Sequence, residues 1–384
     1  MAEALQTCVI HSFPKWLAQT QTWLYNQVRY LPETIENHVV CEKTSNLEQF
    51  RVPNIHCMSD ISRWNLLRKK FPHKLFASTY SEYLISQAQQ YDANILHSHF
   101  GYIGWANLRA AKKAGLKHVV TFYGLDVTYL PKAFFLWYSR YRELFKHVDR
   151  VLCEGPFMAK TVVQKLGCPE EKIIVQHLGV TLDTIPFKLR TWDDNSPLKI
   201  LIAASFREKK GIPYALEALG RLQKDVPIEI TIIGDAGSKS EKDKILAIIK
   251  KYKMESKTTM LGYRPFSVLF EEAYKHHIFL SPSVTAKDGD TEGGAPVSVI
   301  EMAATGMPVV SSQHCDIPEI IKHGKTGLLS KERDVDEIFE NLMWLVNNKT
   351  EWVTIAKAAR QHIESEFNAT VQGKKLASIY EELT

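Results

Sequence analysis

Two series of short β-branched runs, each run followed by a helical pattern, limit this chain to a narrow set of folds. The first series is Cys8-Val9-Ile10, Val39-Val40-Cys41, Asn94-Ile95-Leu96, Val119-Val120-Thr121, Val151-Leu152-Cys153 and Ile173-Ile174-Val175. The second begins at Leu198-Lys199-Ile200-Leu201-Ile202 and continues through the run from Ile228 to Ile233, Met260-Leu261, Ile278-Phe279-Leu280 and Val309-Val310. Strands that alternate with helices build a parallel sheet with helices on both faces. The expected class is therefore α/β, with two Rossmann-like, doubly wound domains, and a length of 384 residues suits two. The polar stretch from Arg190 to Pro197 reads as the linker, which sets an N-terminal domain at 1–190 and a C-terminal one from 191. Ligands of such sheets sit outside the carboxyl ends of the strands, so an interdomain cleft is the expected site.

Charge separates the two halves. Residues 1–190 hold 23 Lys and Arg against 15 Asp and Glu, an excess of +8, while the rest holds 25 against 28, a balance of −3, which together make the net +5. A basic half can face nucleic acid, an anionic membrane or an anionic substrate. No nucleic-acid motif accompanies it, which favours membrane or substrate. No run reaches the ~18 apolar residues of a bilayer span and no basic-then-apolar leader opens the chain, so a cytoplasmic protein is expected, with the inner face of the membrane within reach. The six cysteines form no Cys-x-x-Cys pair and read as buried thiols rather than zinc ligands or disulfides.

The stretch Asp288 to Pro308, DGDTEGGAPVSVIEMAATGMP, concentrates the chemistry. Strand-like Ile278 to Ser283 leads into an acidic, glycine-rich loop, which opens onto a helix-forming segment from Ser298 to Ala304. Glycines at a helix N-terminus let backbone N–H groups and the helix dipole face an anion. Asp288, Asp290, Glu292 and Glu301 add carboxylates, which accept hydrogen bonds from hydroxyl-rich groups. Phosphate on the amides and sugar on the carboxylates would be a nucleotide sugar; the alternative is an acidic loop that only caps a helix.

This segment resembles the donor loop of glycosyltransferase family 4, retaining two-domain enzymes of the GT-B fold that use nucleotide-diphosphate sugars, and in particular their exopolysaccharide and colanic acid branch. That family carries two glutamates eight residues apart, the first on the donor sugar and the second on the ribose. Glu301, followed by Met302-Ala303-Ala304, Gly306 and Pro308, matches the second. Glu292 stands nine residues before it and the eighth position is Gly293, so Glu292-Gly293-Gly294-Ala295-Pro296-Val297 carries one extra glycine. Either the loop bulges and Glu292 still reaches the sugar, or its role has moved. The strand from Leu198 runs into Ser205-Phe206-Arg207-Glu208-Lys209-Lys210-Gly211, where the family has Gly-Arg-x-x-x-Lys-Lys-Gly. Lys210 and Gly211 match; Ser205 takes the arginine's place, and Arg207 is the expected substitute in neutralising the leaving diphosphate. Ile233-Gly234-Asp235 and Gly262-Tyr263-Arg264 resemble the turns at which the family's backbone meets the nucleotide, with Tyr263 or Arg264 stacking on the base or packing on a neighbouring loop.

In the N-terminal half the first strand is expected to end at His11-Ser12-Phe13-Pro14, where a loop with His11, Lys15 and Gln19 shapes the acceptor side in the family; as single residues these also fit an ordinary surface loop. His97 and His99 share one face by strand alternation and would suit a metal, but no third ligand lies nearby in sequence, and polar contacts lining the cleft are the expected role of His99. Val120-Thr121-Phe122-Tyr123-Gly124-Leu125-Asp126 resembles the family's Thr-x-His-Gly-x-Asp with Tyr123 in the histidine's place, a poor base at neutral pH. Asp126 is expected to order the loop or bind acceptor hydroxyls. The aromatic and basic stretch from Pro131 to Lys146 reads either as a membrane-surface helix or as a core-facing one, and Arg63, Arg68, Lys69, Lys70 and Lys74 would extend a basic face. The tail from Ser365-Glu366-Phe367-Asn368 resembles the family's segment that crosses back, so 191–365 is expected as the donor domain and 366–384 as a helix on the N-terminal one.

The resemblance implies a retaining transferase that needs no metal and no cofactor, moves a hexose from a nucleotide-diphosphate sugar, most naturally a UDP-sugar, and gives it to a glycan or lipid-linked acceptor in polysaccharide biosynthesis. Arg207, Lys210 and Glu292 are its expected catalytic residues. Two other readings stand beside it: a sugar-nucleotide epimerase on the same fold, and a non-catalytic nucleotide- or carbohydrate-binding protein.

Overall fold

The computed structural model describes residues 7–18, 20–60, 76–235 and 237–384, without the side chains of 76–78. The chain divides into two compact units: residues up to Gly179 together with Ala369–Thr384, and Val180–Asn368. The first holds a sheet of β1 (Thr7–Trp16), β2 (Ile35–Thr44), β3 (Ile55–Cys57), β4 (Ile95–His99), β5 (Lys117–Thr121), β6 (Arg150–Cys153) and β7 (Ile173–Val175), in the order β3-β2-β1-β4-β5-β6-β7. The second holds β8 (Leu198–Ala203), β9 (Ile228–Ile233), β10 (Thr258–Gly262), β11 (Ile278–Ser281), β12 (Val309–Ser312) and β13 (Leu328–Ser330), in the order β10-β9-β8-β11-β12-β13. Every strand pair in both sheets is parallel. Each is a Rossmann-like unit whose first strand sits mid-sheet and whose order reverses beside it.

Alternation along the strands explains why the runs are apolar throughout. In β8, Ile200 and Ile202 enter one buried cluster with Ile230, Leu280 and Val310, while Leu201 between them enters another with Phe279, Val309 and Ile300. Both faces are covered, so neither can be polar. Burying each of these side chains contributes about 1.5–3 kcal/mol.

The division between units falls at 179/180 and not at the polar stretch from Arg190. Arg190 is buried in the second unit, where its guanidinium donates to the carbonyl oxygens of His276 (3.1 Å) and Ala273 (3.0 Å), to that of Lys188 and to Thr305 Oγ1 (3.1 Å). These bonds to carbonyls and to a hydroxyl fix the segment to this unit, which a linker would not need. At the other end, the helix Glu351–Glu366 stays with the second unit, and the helix Ala369–Glu381 joins the first. There it packs on the helix Thr22–Arg29 so closely that a Cβ on Gly373 would lie 1.9 Å from the Tyr30 carbonyl oxygen.

The first strand runs on to Trp16 rather than stopping at His11, which places His11 inside the sheet, wholly buried, and not on a loop. Gln19, the basic residues Arg63, Arg68, Lys69, Lys70 and Lys74, and Ala236 lie outside the described residues. No helix among the described residues is long and apolar enough to cross a membrane.

Candidate active site

The candidate site of the second unit is built from loops that leave the carboxyl ends of β8, β9, β11 and β12. After β8, the chain passes Ser205 and makes one tight turn, Glu208–Lys210. Gly211 closes it at φ +65, and a Cβ there would lie 1.8 Å from the Pro282 carbonyl oxygen. Val284 N–H donates to the Lys209 carbonyl at 2.8 Å, so the loops after β8 and β11 are sewn together along their backbones. At the end of β9, Gly234 serves the same kind of approach: a Cβ would come within 1.9 Å of the Ala204 carbonyl oxygen.

This turn aims three cations at the acidic loop. Arg207 Nη2 lies 2.7 Å from Asp290 Oδ2, and Lys209 Nζ reaches Asp290 Oδ1 at 3.2 Å and the Thr291 carbonyl at 2.8 Å. Lys210 Nζ donates to Glu292 Oε2 at 2.8 Å while Ser283 Oγ donates to Oε1 at 2.8 Å. Burial pushes the Glu292 carboxyl up, but Lys210, Lys209 and Ser283 outweigh it and hold its pKa down at about 2. The Glu292 side chain is only 7% exposed and ionised, a charge that is stable there because it is paired.

The loop bends at Gly293–Gly294, with Gly293 at φ +81 and its N–H donated to Thr291 Oγ1 at 3.1 Å. Behind it stands a relay that the sequence did not disclose. Glu292 N–H donates to His314 Nε2 at 3.1 Å, and His314 Nδ1 lies 2.6 Å from Glu332 Oε1. Nε2 accepts, so Nδ1 carries the proton that Glu332 receives, and the imidazole is fixed in one tautomer. Burial works against the Glu332 carboxylate, but hydrogen bonds from His314 and Thr285 hold its pKa below the ordinary value.

Ala295 and Pro296 lead into the helix Val297–Ala304, whose first turn has no side-chain cap. Glu301 lies on that helix, 5% exposed. Burial alone pushes its pKa up to about 8, with no cation or donor among the described residues to offset it. A carboxyl group buried and left without a partner among the described residues is costly, and hydroxyl donors from a ligand would satisfy it. Tyr263 is 62% exposed and Arg264 is exposed too, so the Tyr263 ring offers a bare face instead of packing on a neighbouring loop.

In the first unit the structure gathers what the sequence left scattered. His11 pairs with His97 in the β1–β4 register, and His11 Nδ1 lies 3.1 Å from His99 Nε2. His99 Nδ1 meets the Tyr123 hydroxyl at 2.8 Å; His97 Nδ1 meets the Tyr380 hydroxyl at 2.6 Å and its Nε2 meets Thr121 Oγ1 at 2.7 Å. One nitrogen from each of His11, His97 and His99 lies within 4.8 Å of the others, which supplies in space the third histidine missing from the local sequence. The rings stack, however, with His97 and His99 centroids 4.2 Å apart and His99 flat on Phe13. All three are wholly buried, and burial first, then neighbouring imidazoles, keeps them neutral, with His11 brought down to about 3. His99 is thus an interior group tied to Tyr123, with no exposed face. Burial likewise drives the Tyr123 hydroxyl well above its usual pKa. Asp126 accepts from Tyr123 N–H at 2.7 Å and from Gly101 N–H at 2.5 Å, orders its loop, and caps the helix Gly101–Ala114. Burial raises its pKa to about 7 against those two backbone donors.

Residues 20–184 match the model described as Glycosyltransferase Family 4, and residues 190–362 the model described as Glycosyl transferases group 1. The amylovoran biosynthesis glycosyltransferase AmsK of Erwinia amylovora is 35% identical over 296 residues, 76% of this chain and 70% of that protein. This chain belongs to glycosyltransferase family 4. Among its fellow glycosyltransferases, WcaL of Escherichia coli K12, a protein named for colanic acid biosynthesis, is 32% identical over 310 residues, covering 77% of this chain and 72% of WcaL. The GT-B fold of this family 4 enzyme is shared with a glycosyltransferase from Rickettsia africae (TM-score 0.78, 16% identity, 99% of both chains). It is shared too with Anabaena Alr3699/HepE in complex with UDP and glucose (TM-score 0.77, 15% identity, 97% of this chain and 98% of that one).

Proposed function

We propose that this enzyme is a retaining, metal-independent transferase of exopolysaccharide biosynthesis that takes a hexose from a UDP-sugar and gives it to a glycan or lipid-linked saccharide. One observation carries the reading: Arg207, Lys209 and Lys210 converge on the loop that precedes the helix bearing the buried, unpartnered Glu301 carboxyl. In this reading the diphosphate takes Lys210 and Arg207, the ribose hydroxyls donate to Glu301, and the amides of Gly294, Ala295 and Val297 at the uncapped helix start face the sugar and phosphate. The bare Tyr263 ring is a surface for the base. AmsK, named for amylovoran biosynthesis, supports the pathway, and HepE, solved with UDP and glucose, supports the nucleotide.

Transfer in this scheme is electrostatic. Negative charge grows on the leaving diphosphate as the glycosidic bond breaks, and cations already in place stabilise it more than they stabilise the intact donor. A donor phosphate oxygen takes the acceptor proton as the acceptor hydroxyl attacks from the side that the diphosphate leaves, which gives retention. Glu292, ionised and with its backbone N–H held by the His314–Glu332 relay, would take donor hydroxyls in this reading. Thermal melts against UDP, GDP, ADP-glucose and their common sugars, with and without EDTA, test the donor. One nucleotide should stand out, with EDTA leaving its shift unchanged; a ligand at about 100 times its Kd should add roughly 2.7 kcal/mol. No shift from any nucleotide would refute the donor site, and an inverted linkage by NMR would refute retention.

A further inference from the structure

The segment from Gly124 to Arg142 has an exposed face that the donor chemistry does not use. The turn Leu125–Tyr129 leaves Leu125 (43%) and Tyr129 (39%) open four residues apart, on one side. After the short helix Leu130–Ala133 come Phe134 at 60%, Phe135 at 84% and Leu136 at 49% exposed, three large apolar side chains in a row. The helix Leu136–His147 buries Tyr141, Leu144 and Phe145 in the core, which fixes the base of the projection and leaves its tip outside. Of the two readings of this stretch, core-facing holds for Tyr141 and fails for Phe134 and Phe135. Arg140 lies 4.5 Å over Trp105 and 4.6 Å over Trp137, so the base is also braced.

Charge decides what could cover this tip. Between Gly124 and Arg142 the basic residues are Lys132, Arg140 and Arg142, and the one acid, Asp126, is buried with both oxygens bonded. A second copy docking face to face would bring the Lys132 and Arg142 charges of both copies together with no exposed acid of this segment between them, because a two-fold contact pairs each patch with the same patch. An acyl surface rimmed by anionic head groups would accept Phe134, Phe135 and Leu136 and attract the lysine and arginine beside them. We infer that this projection is a membrane-docking wedge, with Phe134, Phe135 and Leu136 entering the interface of an anionic phospholipid bilayer and Lys132 and Arg142 contacting its head groups.

The test is co-sedimentation of the whole chain with vesicles of phosphatidylglycerol and phosphatidylcholine in equal parts, and with phosphatidylcholine alone. The wild type should bind the anionic vesicles, and added salt should weaken it. Replacing Phe134, Phe135 and Leu136 together by serine should lower the partition at least about tenfold, which burial of one such side chain would account for. Lys132→Gln and Arg142→Gln should cost roughly fivefold each on anionic vesicles and nothing on neutral ones. These side chains are exposed, and unchanged melting temperatures would verify that the variants fold. Absence of binding to anionic vesicles, or binding that the triple serine variant leaves intact, overturns the inference. A wild-type dimer that the same triple variant dissociates would overturn it too, by giving the patch to a second copy. Nucleotide binding by the second unit is untouched in every variant, so this result stands or falls apart from the donor reading.

Discussion

Glu301→Gln separates a ligand-receiving carboxyl from a merely buried one, because only the ionisable group links nucleotide, proton and fold. The folded chain holds a proton on Glu301 up to about pH 8, whereas its ordinary value is 4.5. Between those limits the folded state binds more protons than the unfolded one, so stability falls as pH rises through the window and the loss is complete above it. Full conversion of 3.5 units at 1.36 kcal/mol each bounds the loss at about 5 kcal/mol, and at pH 7 it is about 3 kcal/mol. Glutamine carries no such linkage. The melting temperature of Glu301→Gln should therefore rise relative to wild type from pH 5 to pH 8.5, by several degrees in all. Asp126, pushed up to about 7, titrates equally in both proteins and cancels from the difference. Ribose hydroxyls donate to the ionised form, whose fraction grows about tenfold between pH 7 and pH 9 for a pKa near 8, and wild-type affinity for the nucleotide sugar should strengthen by up to that factor. Isothermal titration across the range reads it, and the variant's profile should be flat. A melting difference that does not vary with pH, or an affinity profile that the substitution leaves unchanged, would refute the reasoning.

Other outcomes follow from the same geometry. Lys210→Gln should lower kcat by about a hundred- to a thousandfold, the usual loss when one preorganised charge is removed. It should also lower the melting temperature at pH 7, and that deficit should shrink toward pH 2, because Glu292, held down at about 2, contributes stability only while ionised. Gly211→Ala would force a Cβ to 1.8 Å from the Pro282 carbonyl oxygen at φ +65, and should cost at least about 2–4 kcal/mol by denaturant unfolding. Tyr123→Phe removes the hydroxyl 2.8 Å from His99 Nδ1 and should cost about 1–3 kcal/mol in the same assay, the penalty of a buried nitrogen left unpaired.

The strand series was readable because parallel strands buried on both faces are continuous apolar runs. What escaped were the margins. β3 (Ile55-His56-Cys57) and β13 (Leu328-Leu329-Ser330) lie at sheet edges and lack the β-branched run that marked the equally short β7. Pro14 suggested an early end to β1, yet β1 pairs with β4 only up to Ser12, so the proline lies where that side of the strand has no ladder to break. In the site, the loop glycines, Lys210, Glu292 and Glu301 stood out locally. The His314–Glu332 relay did not, because its members come from the ends of β12 and β13 and meet only through strand pairing. His11 joined His97 and His99 in the same way, through the β1–β4 register. Such contacts are set by topology, and spacing along the chain cannot show them.

The three cations of the loop after β8 are not equivalent, and their exposure separates them. Lys209 is 11% exposed and spends its donors on Asp290 and on the Thr291 carbonyl, so it holds the acidic loop in place. Arg207 is 46% exposed and its guanidinium donates to Asp290 Oδ2, which leaves it able to turn to an arriving diphosphate while Lys209 keeps Asp290 neutralised. Breaking a buried pair by removing one partner costs about 3–5 kcal/mol, whereas an exposed pair is worth about 0–1 kcal/mol. Lys209→Met should accordingly destabilise the fold strongly, while Arg207→Ala should leave the melting temperature within a few degrees and weaken turnover or donor affinity. Paired melts and steady-state kinetics of the two variants decide it. The opposite ranking, with Arg207→Ala unfolding the protein and Lys209→Met harming only catalysis, would exchange their roles and make Arg207 the structural clamp.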